Sequence, residues 1–458
     1  MQFSDIMARQ RAFFQSGATQ ALDFRREQLK MLASQLDAYE TELLAALHAD
    51  LRKSPQQAYA SEISGVQGEI RHALKHLGAW MRPQRRRTPL LAWPARSHVH
   101  PQPYGVALIM GAWNYPVQLL LAPLVGAIAA GNCAVLKPSE FAPHTAAVLD
   151  RLIRSTFSED FLTLVTGDQK TSAALLHQKF DKIFFTGGTE TGRAVMTAAA
   201  RHLTPVTLEL GGKCPCIVGH DAPVHITARR IVWGKFLNAG QTCVAPDHLW
   251  VDEQIAPALI QAMIAALHEF YGDSPQQSPD FGRIINGRHF DRLNGYLAHG
   301  TLACGGTTDP ADLYIAPTIL TACASNSPVM TEEIFGPILP VMEFSDLGEV
   351  LATLRDRPPP LAVYLFTGDA ALQHRVVSST RSGGVCINDT ILQILGNELP
   401  FGGVGESGMG TYHGRASFDC FSHPRAVLHR HLTIDPSFRY PPQHIPLKWL
   451  KRLLRTLT

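Results

Sequence analysis

The chain has 458 residues, and its 41 Lys and Arg nearly balance its 39 Asp and Glu, which gives a formal net charge of +2. That balance excludes a globally basic surface of the kind that binds nucleic acid, and the length allows several domain-sized units around one cleft. The eight cysteines include no CxxC pair, so we expect reduced thiols, no metal site and a cytoplasmic protein. The longest apolar run, 119–130, is interrupted by Pro123 and is too short to cross a bilayer.

Regions of different pattern follow one another along the chain. Residues 3–81 are predicted to be helical, because leucines recur three and four positions apart. Residues 82–103 contain five prolines among basic residues, which predicts extended connecting structure. From 104 to 210, and again from 211 to about 410, short β-rich runs alternate with helical patterns.

The alternation between 104 and 210 predicts a parallel sheet. Strands are expected at 106–110, 133–137, 161–165 and 182–185, with helices at 119–130, 145–155 and 172–177. Strands and helices at this spacing form βαβ units, whose ligands lie at the carboxyl ends of the strands. The predicted fold class is therefore α/β.

Cys243 is the most informative residue of the chain. It stands in NAGQTCVAP, residues 238–246, among small and polar neighbours and without metal-ligand spacing. Such a setting is typical of a nucleophile. A thiol with its ordinary pKa of about 8.5 is only roughly 3% thiolate at pH 7, so other parts of the site are expected to assist it.

Two further side chains could act with a nucleophile. Glu209 lies between two leucines and precedes two glycines, where burial would raise its pKa and make it a usable base. The alternative for Glu209 is an ion pair with Lys213. Asn114 follows a predicted strand, and its amide could donate to a developing oxyanion, although a turn is the commoner role of Asn.

Three other segments suggest binding or structural roles. The turn FTGGTETG, residues 185–192, follows a strand and opens a helix, where it either binds a phosphate or simply caps the helix. Lys137 and Glu140 end another strand with a cation and an acid that suit ribose hydroxyls, or they form a surface turn. The literal GxGxxG at 403–408 lacks the βαβ context of a nucleotide site and is interpreted as a structural loop.

The end of the chain predicts a basic amphipathic helix within 445–458. Leucines 447, 450, 454 and 457 fall on one face, with Lys and Arg opposite. Such a helix could lie on a membrane surface. It could also dock on a partner subunit, which is the interpretation we favour from sequence because a short helix alone binds lipid weakly.

Taken in order, these segments resemble the aldehyde dehydrogenase superfamily, and within it the class 3 branch that includes fatty, aromatic and coniferyl aldehyde dehydrogenases. The resemblance extends from about residue 5 to about residue 442. It rests on the segments GVALIMGAWNYP, GAIAAGNCAVLKPSE, FFTGGTETG, TLELGGKCP, WGKFLNAGQTCVAPD, EEIFGPILPV, LPFGGVGESGMGTYHG and FRYPP.

The resemblance implies oxidation of an aldehyde to the carboxylic acid through a thiohemiacetal and a thioester. It makes Cys243 the nucleophile, and it makes the Asn114 side chain and the Cys243 backbone N–H the donors to the oxyanion. It makes Glu209 the base that activates the hydrolytic water. An apolar tunnel for medium- or long-chain aliphatic or aromatic aldehydes is also implied, with Tyr115 and Trp233 as candidate wall residues, although either ring could be core packing.

The implied cofactor is NAD or NADP. By the resemblance, Gly187 and Gly188 approach its pyrophosphate, and Glu333 with Phe335 positions the nicotinamide end. Lys137 and Glu140 would reach the adenine ribose. Since Glu140 could swing away from a 2′-phosphate, the choice between the two cofactors stays open.

The implied aldehyde dehydrogenase fold has a Rossmann-like cofactor domain, a catalytic domain and a small bridging β-element. The expected boundaries are 1–81 with 102–210, then 211–411, then 82–101 with 412–440, followed by a tail at 441–458. A homodimer follows by analogy, with no nucleic acid partner, and peripheral membrane contact through 445–458 stays open.

Two other functions are compatible with this fold. One is an acylating relative that passes the thioester to coenzyme A, against which Glu209 argues. The other is a catalytically silent binding protein, against which the presence of Cys243, Asn114 and Glu209 together argues.

Overall fold

The computed structural model describes residues 3–435, 440–442 and 445–457. The expected ranges that begin at 1, pass through 436–439 or 443–444, or end at 458 therefore fall partly outside the described residues, as do Phe438 and Arg439 of FRYPP. Among the described residues, no helix is long and apolar enough to span a bilayer. Within the same ranges, no group of three or more His, Cys, Asp or Glu side chains is arranged to hold a metal ion.

The first part of the chain is helical, as predicted. Its α-helices are Phe3–Gln15, Leu22–Ala38, Glu40–Leu51, Pro55–Ala58 and Ser64–Trp80, with a 3-10 turn at Ala18–Gln20 and a π-helical turn at Tyr59–Ile63. The inward leucines of these helices join the core of the sheet that follows. This N-terminal layer therefore packs on the first sheet.

The first sheet has six strands and is almost wholly parallel. In spatial order the strands are Gly408–Met409, Val206–Glu209, Lys182–Thr186, Val106–Met110, Cys133–Lys137 and Leu162–Leu164, and only the first runs antiparallel to its neighbour. Its connecting helices are Gln118–Ala130, Pro143–Thr156, Gln169–Leu176 and Thr189–Ala200. The predicted alternation and the parallel sheet are confirmed.

The predicted element boundaries differ from the observed ones by a few residues, for identifiable reasons. The helix expected at 145 begins at Pro143, because proline is well suited to the first turn. The helix expected at 172 begins at Gln169, because the Asp168 side chain accepts the Thr171 backbone N–H at 3.1 Å and caps it.

The second sheet has seven strands and forms the core of the region after residue 211. In order they are Thr301–Cys304, Thr318–Thr321, Ile338–Phe344, His248–Asp252, Pro215–Val218, Ala362–Phe366 and Gly384–Ile387, and only the first runs antiparallel to its neighbour. The α-helices of this region are Val224–Phe236, Ala256–Tyr271, Gly287–Tyr296, Pro328–Thr331, Leu347–Arg355 and Ala370–Ser379. Short 3-10 turns occur at Leu237–Gly240, Pro275–Gln277, Leu297–His299 and Leu392–Ile394, and a small hairpin pairs Thr308–Asp309 with Tyr314–Ile315.

A third sheet is antiparallel and small. It pairs Gln84–Arg86, Ala95–Pro103 and Ser422–Arg430 in that order. A 3-10 turn at Leu90–Ala92 and the helix Arg415–Cys420 flank it, and the final helix, Leu447–Leu457, contacts the Leu90–Ala92 turn. The proline-rich segment is therefore extended, as predicted.

Candidate active site

A cavity of about 250 Å³ lies where the carboxyl ends of the first sheet face the loop that carries Cys243. Seven of the residues singled out from the sequence line it: Asn114, Gly187, Gly188, Glu209, Cys243, Glu333 and Phe335. Its remaining wall residues are Ala112, Trp113, Leu119, Thr186, Leu210, Gly211, His289 and Arg292. Parallel strands that end at one edge of a sheet bring the residues after them together, which explains why segments far apart in sequence meet here.

The loop before Cys243 has a backbone shape that few sequences adopt. Asn238, Ala239 and Gly240 are all left-handed, with φ of 54°, 52° and 73°. A Cβ on Gly240 would lie 2.2 Å from the Gly336 carbonyl oxygen, so only glycine fits there. Asparagine is among the residue types that tolerate this conformation best, whereas alanine adopts it rarely. The left-handed conformation of Ala239 is therefore strained, and contacts with neighbouring residues have to stabilise it.

Gln241 supplies part of that restraint. Its buried side chain donates to the backbone carbonyls of Asn238 at 3.0 Å and Arg283 at 2.9 Å, and it accepts the Ile285 backbone N–H at 3.0 Å. The amide thus has a partner on both of its ends. These three hydrogen bonds fix the position of Cys243, two residues further on, at the cavity wall.

Burial determines the ionisation of the Cys243 thiol. It raises the pKa of Cys243 to about 12, and the nearby carboxyl groups of Glu333 and Glu209 act in the same direction. The backbone N–H groups of Cys243 and Val244 favour the thiolate, but by less. The protein alone therefore keeps the thiol protonated at neutral pH.

Glu209 ends the strand Val206–Glu209 and points into the cavity without a partner. Among the described residues, neither of its carboxyl oxygens has a hydrogen-bond partner, and burial raises its pKa well above the ordinary value. The suggested ion pair with Lys213 is wrong. Lys213 instead pairs with Asp247 and donates to the carbonyls of Val329 and Glu332 at 2.8 and 3.0 Å.

The glycine loop 403–408 holds the strand of Glu209 in place. Gly408 pairs with Glu209 in antiparallel register, and the Leu210 N–H donates to the Ser407 carbonyl at 3.1 Å. A Cβ on Gly408, whose φ is 142°, would lie 2.2 Å from the Leu208 carbonyl oxygen. Gly403 and Gly408 of this GxGxxG are thus explained by backbone packing and Gly405 by its φ of 67°, in keeping with the structural interpretation.

Asn114 lies beside the chain segment that leads to Cys243. Its side-chain amide donates to the Gln241 carbonyl at 3.1 Å, and its own carbonyl accepts from the Asn238 side chain at 2.9 Å. An amide nitrogen carries two hydrogens, so one remains for a group in the cavity. Asn114 thus lies at the cavity wall with a donor to spare.

The turn after the strand Lys182–Thr186 forms the opposite end of the cavity. Gly188 precedes the helix Thr189–Ala200, and nothing lies within 4 Å of the position that its Cβ would take. The Thr186 hydroxyl is buried and has no hydrogen-bond partner among the described residues. An open helix N-terminus with a spare buried hydroxyl is suited to an anionic group such as a phosphate.

Glu333 and Phe335 form a third wall. The Glu333 carboxyl lies over Gly211, where an added Cβ would be 2.2 Å from it, and burial raises the pKa of Glu333 to about 7. Phe335 is left-handed, with φ of 50°, and its ring lies 5.3 Å from that of Trp113. Arg292 donates to the carbonyls of Glu333 and Ile334 at 3.0 and 2.7 Å and so fixes this segment.

Four predicted site residues do not line this cavity. Lys137 is buried and donates to the Pro138 carbonyl at 2.7 Å and to Glu140 at 3.5 Å, at the same edge of the first sheet. Tyr115 is buried behind the wall, with its hydroxyl 2.6 Å from that of Thr242. Trp233 is on a helix of the second region with 37% of its surface exposed.

Sequence reasoning missed His289 and Arg292 in the cavity wall. Both lie on the helix Gly287–Tyr296, where a sequence offers no sign that one polar face turns towards a site built by distant segments. His289 packs against Trp113 with ring centroids 5.2 Å apart, and burial lowers its pKa to about 4. It is therefore neutral at physiological pH.

One cavity of a parallel α/β fold holds an open helix N-terminus, a thiol and a buried carboxyl that has no partner among the described residues. This combination defines an enzyme that uses a nucleotide cofactor together with covalent chemistry.

Comparison with known proteins makes this class more specific. The model of the aldehyde dehydrogenase family matches residues 2–427. Among similar proteins is the Staphylococcus aureus "4,4'-diaponeurosporen-aldehyde dehydrogenase", which is 43% identical over 97% of both chains.

Two further comparisons agree. The rat "Aldehyde dehydrogenase family 3 member A2" is 45% identical over 97% of this chain and 93% of its own length. A solved structure described as the "Substrate bound state of Staphylococcus Aureus AldH" superposes with a TM-score of 0.96 at 42% identity, covering 99% of each chain. The chain belongs to the aldehyde dehydrogenase family, in its class 3 branch. It is an oxidoreductase that uses NAD or NADP to oxidise an aldehyde, which confirms the predicted fold class, cofactors and reaction.

The environment of Cys243 predicts how the thiol reacts without cofactor. Since its pKa is raised, alkylation of Cys243 by iodoacetamide should be slow at pH 7 and rise about tenfold per pH unit up to at least pH 9. Mass spectrometry of the peptide that contains Cys243 measures this rate, with Cys243→Ser as the control for reaction at other thiols. A plateau below pH 8 would show that the site lowers the pKa by itself.

Proposed function

We propose that Cys243, Asn114 and Glu209 carry out the chemistry of aldehyde oxidation in this protein. The observation that supports this most directly is that one cavity holds all three, together with the Gly187–Gly188 turn. A nucleophile, an oxyanion donor and a base within one small cavity are the parts that thioester chemistry requires.

The first half of the reaction forms a covalent bond to Cys243. Its sulfur attacks the aldehyde carbonyl carbon as the thiol proton passes to solvent water, and the oxygen becomes an oxyanion that accepts from the Asn114 amide and the Cys243 backbone N–H. The cofactor held by the cavity residues would supply the hydride acceptor for this carbon. The product on Cys243 is a thioester.

The second half releases the acid. Glu209 in its ionised form removes a proton from water, the hydroxide attacks the thioester carbonyl, and the Cys243 sulfur leaves as a thiol that takes its proton from Glu209. A buried carboxyl with a raised pKa is a strong base once ionised, which suits this step. An unpaired Glu209 also argues for hydrolysis over transfer of the acyl group to coenzyme A.

We propose that the predicted cofactor residues bind NAD(P). The open N-terminus at Gly188 and the close packing of Gly187, whose Cβ would lie 2.5 Å from the Phe185 ring, allow the pyrophosphate to approach the backbone. Lys137 and Glu140, at the same edge, would bind the adenine ribose, and Glu333 with Phe335 would bind the nicotinamide end. Thr186 supplies a further hydroxyl that has no partner within the described ranges.

Two substitutions separate these roles. Cys243→Ala should abolish aldehyde oxidation while the dissociation constant of NAD changes little, because no covalent bond can form.

Glu209→Gln should keep a burst of NADH but lower the steady-state rate by roughly 10²- to 10⁴-fold, because the thioester accumulates. Stopped-flow absorbance at 340 nm measures both phases. A Cys243→Ala variant that still oxidises aldehydes would refute the mechanism, and loss of the burst in Glu209→Gln would refute the role of Glu209.

We propose an apolar substrate, namely a medium- or long-chain aliphatic aldehyde or an aromatic one. Leu119 and Trp113 line the cavity, and Tyr115 backs it. The similar S. aureus protein is a "4,4'-diaponeurosporen-aldehyde dehydrogenase". The exposed position of Trp233 gives no support for a place in the substrate channel.

A panel of aldehydes tests this class. We expect kcat/KM to rise by up to roughly 15-fold for each pair of CH₂ groups from propanal towards decanal, since each buried CH₂ contributes about 0.8 kcal/mol, and we expect benzaldehyde and cinnamaldehyde to be used. The panel is run with NAD and with NADP, which also measures the cofactor preference. A flat or falling series would exclude an apolar channel.

We propose three functional parts and a homodimer. The first sheet with the N-terminal helices would be the cofactor domain (1–81 and 102–210), the second sheet the catalytic domain (211–411), and the third sheet the bridging element (82–101 and 412–440). The strand Gly408–Met409 of the catalytic range adds to the edge of the first sheet. Ser422–Arg430 and Gly384–Ile387 are edge strands of the third and second sheets, and unpaired strand edges are surfaces on which another chain pairs. A cytoplasmic dimer formed through these edges would cover both edge strands.

We propose that the tail helix region, 445–458, makes peripheral contact with anionic membranes, in place of the subunit docking that the sequence alone favoured. The segments 82–103, 421–434 and 445–458 together hold eleven Lys and Arg and no Asp or Glu. The described parts of these segments form the third sheet, the Leu90–Ala92 turn beside it and the tail helix, which contacts that turn. Leu447 and Trp449 on the tail are 65% and 62% exposed, and Leu90 and Trp93 beside the third sheet are 61% and 64% exposed. A basic surface with exposed apolar side chains suits an anionic lipid surface better than a neutral one.

Deletion of residues 445–458 tests this contact. We expect the full chain to co-sediment with vesicles that contain phosphatidylglycerol and the deletion variant to bind at least several-fold less, because about 1 kcal/mol is lost per basic residue at the surface. Vesicles of phosphatidylcholine alone are the matched control. If deletion leaves sedimentation unchanged but dissociates the dimer in analytical ultracentrifugation, the tail is a subunit contact instead.

A further inference from the structure

The most deeply buried ion pair among the described residues lies next to the cavity and has no part in the aldehyde oxidation proposed for Cys243, Asn114 and Glu209. The Lys53 ammonium and the Glu62 carboxylate are both fully buried and are 2.5 Å apart. Burying two charges is costly even when they are paired, so a hydrophobic pair of similar volume would often be as stable. The fold therefore gains little net stability from this pair, and its contacts indicate another use.

Lys53 holds the backbone of the oxyanion donor. Its ammonium donates to the Asn114 carbonyl at 2.8 Å, and another side of it faces the Tyr115 ring, 4.0 Å from the centroid. The Asn114 carbonyl also accepts from Asn238 at 2.9 Å, so two donors fix one oxygen. Lys53 is not in the cavity wall, and it reaches the site only through Asn114 and Tyr115.

Glu62 holds the other side of the same loop. Its second oxygen accepts the backbone N–H groups of Val117 and Gln118 at 3.0 and 3.1 Å, which caps the helix Gln118–Ala130. Glu62 lies in the π-helical turn Tyr59–Ile63, a rare distortion that directs a side chain differently from a regular α-helix. The ion pair therefore restrains the loop 114–118 at both ends.

The same loop touches the segment of Cys243 twice. The Asn114 side chain donates to the Gln241 carbonyl at 3.1 Å, and the Tyr115 hydroxyl lies 2.6 Å from the Thr242 hydroxyl. The spare hydrogen of the Asn114 amide has to meet the oxygen on the substrate carbon that is bound to the Cys243 sulfur. A change of about 1 Å in such a donor can cost about a hundredfold in rate.

We infer that the Lys53–Glu62 ion pair is the positioning element that holds the Asn114 amide against the oxygen of the Cys243 adduct. The inference rests on the proposed role of Asn114. Lys53 and Glu62 touch neither substrate nor cofactor; they act through the Asn114 carbonyl and the 114–118 loop. Their loss should slow the chemical step and leave cofactor binding intact.

The test is a double-mutant cycle that measures the single-turnover rate of NADH formation with saturating aldehyde and NAD. Lys53→Met with Glu62→Gln removes both charges but keeps an oxygen for the Val117 and Gln118 amides. We expect this double variant to lower the rate roughly 10- to 100-fold, with the dissociation constant of NAD within about twofold of wild type. In an Asn114→Ala background the same two substitutions should have no further effect, because the donor that they position is absent.

A matched control removes an ion pair far from the cavity. Arg11 pairs with Asp181 at 3.1 Å, at the amino end of the strand Lys182–Thr186. Arg11→Met should lower the thermal midpoint without changing the single-turnover rate. Should the double variant not fold, Glu62→Gln alone is the milder change, and its loss of rate should also vanish in the Asn114→Ala background.

The outcomes separate the two hypotheses. If Asn114→Ala is slow but the double variant reacts at the wild-type rate, or if the two losses multiply, the positioning role is wrong while the role of Asn114 stands. If Asn114→Ala itself reacts at the wild-type rate, the proposed role of Asn114 fails, and the inference falls with it.

Discussion

The contact between Asn114 and the segment that precedes Cys243 is the constraint on which the rest of the site depends. Asn114 belongs to the edge of the first sheet, and Gln241 belongs to a loop of the second region, 127 residues further along the chain. The 3.1 Å hydrogen bond between them fixes the nucleophile loop relative to the helix N-terminus that follows Thr186. Together with the contact between the Tyr115 and Thr242 hydroxyls, it sets the position of the thiol relative to the turn after Thr186.

Many of the residues in this site could be predicted from the sequence, because each stands in a recognisable local pattern. A strand that ends at Met110 or Thr186 is visible as a short apolar run, and the residues just after it must lie at the carboxyl edge of a parallel sheet. Asn114 and Gly187 were therefore identifiable, whereas Glu209 was identified by its place between two leucines and before two glycines. Family resemblance added the pairing of these segments with Cys243, which no local pattern contains.

What could not be predicted depends on long-range packing. Nothing around Lys53 or Glu62 in the sequence distinguishes them from surface residues of a helical region, yet both side chains are fully buried. Whether Glu209 pairs with Lys213 was equally open, because the answer lies in Asp247, which is 34 residues away from Lys213 in sequence. Pairing partners at such distances are decided by the tertiary fold, and a single sequence does not reveal them.

The uneven distribution of charge has a consequence for the molecule as a whole. Outside the segments 82–103, 421–434 and 445–458, the chain has 30 Lys and Arg against 39 Asp and Glu. A nearly neutral protein thus carries a local excess of positive charge at the third sheet and the tail. Attraction between such a region and an anionic group acts within about a Debye length, roughly 10 Å at 0.1 M salt. The reach of this excess charge is therefore set by the ionic strength of its surroundings.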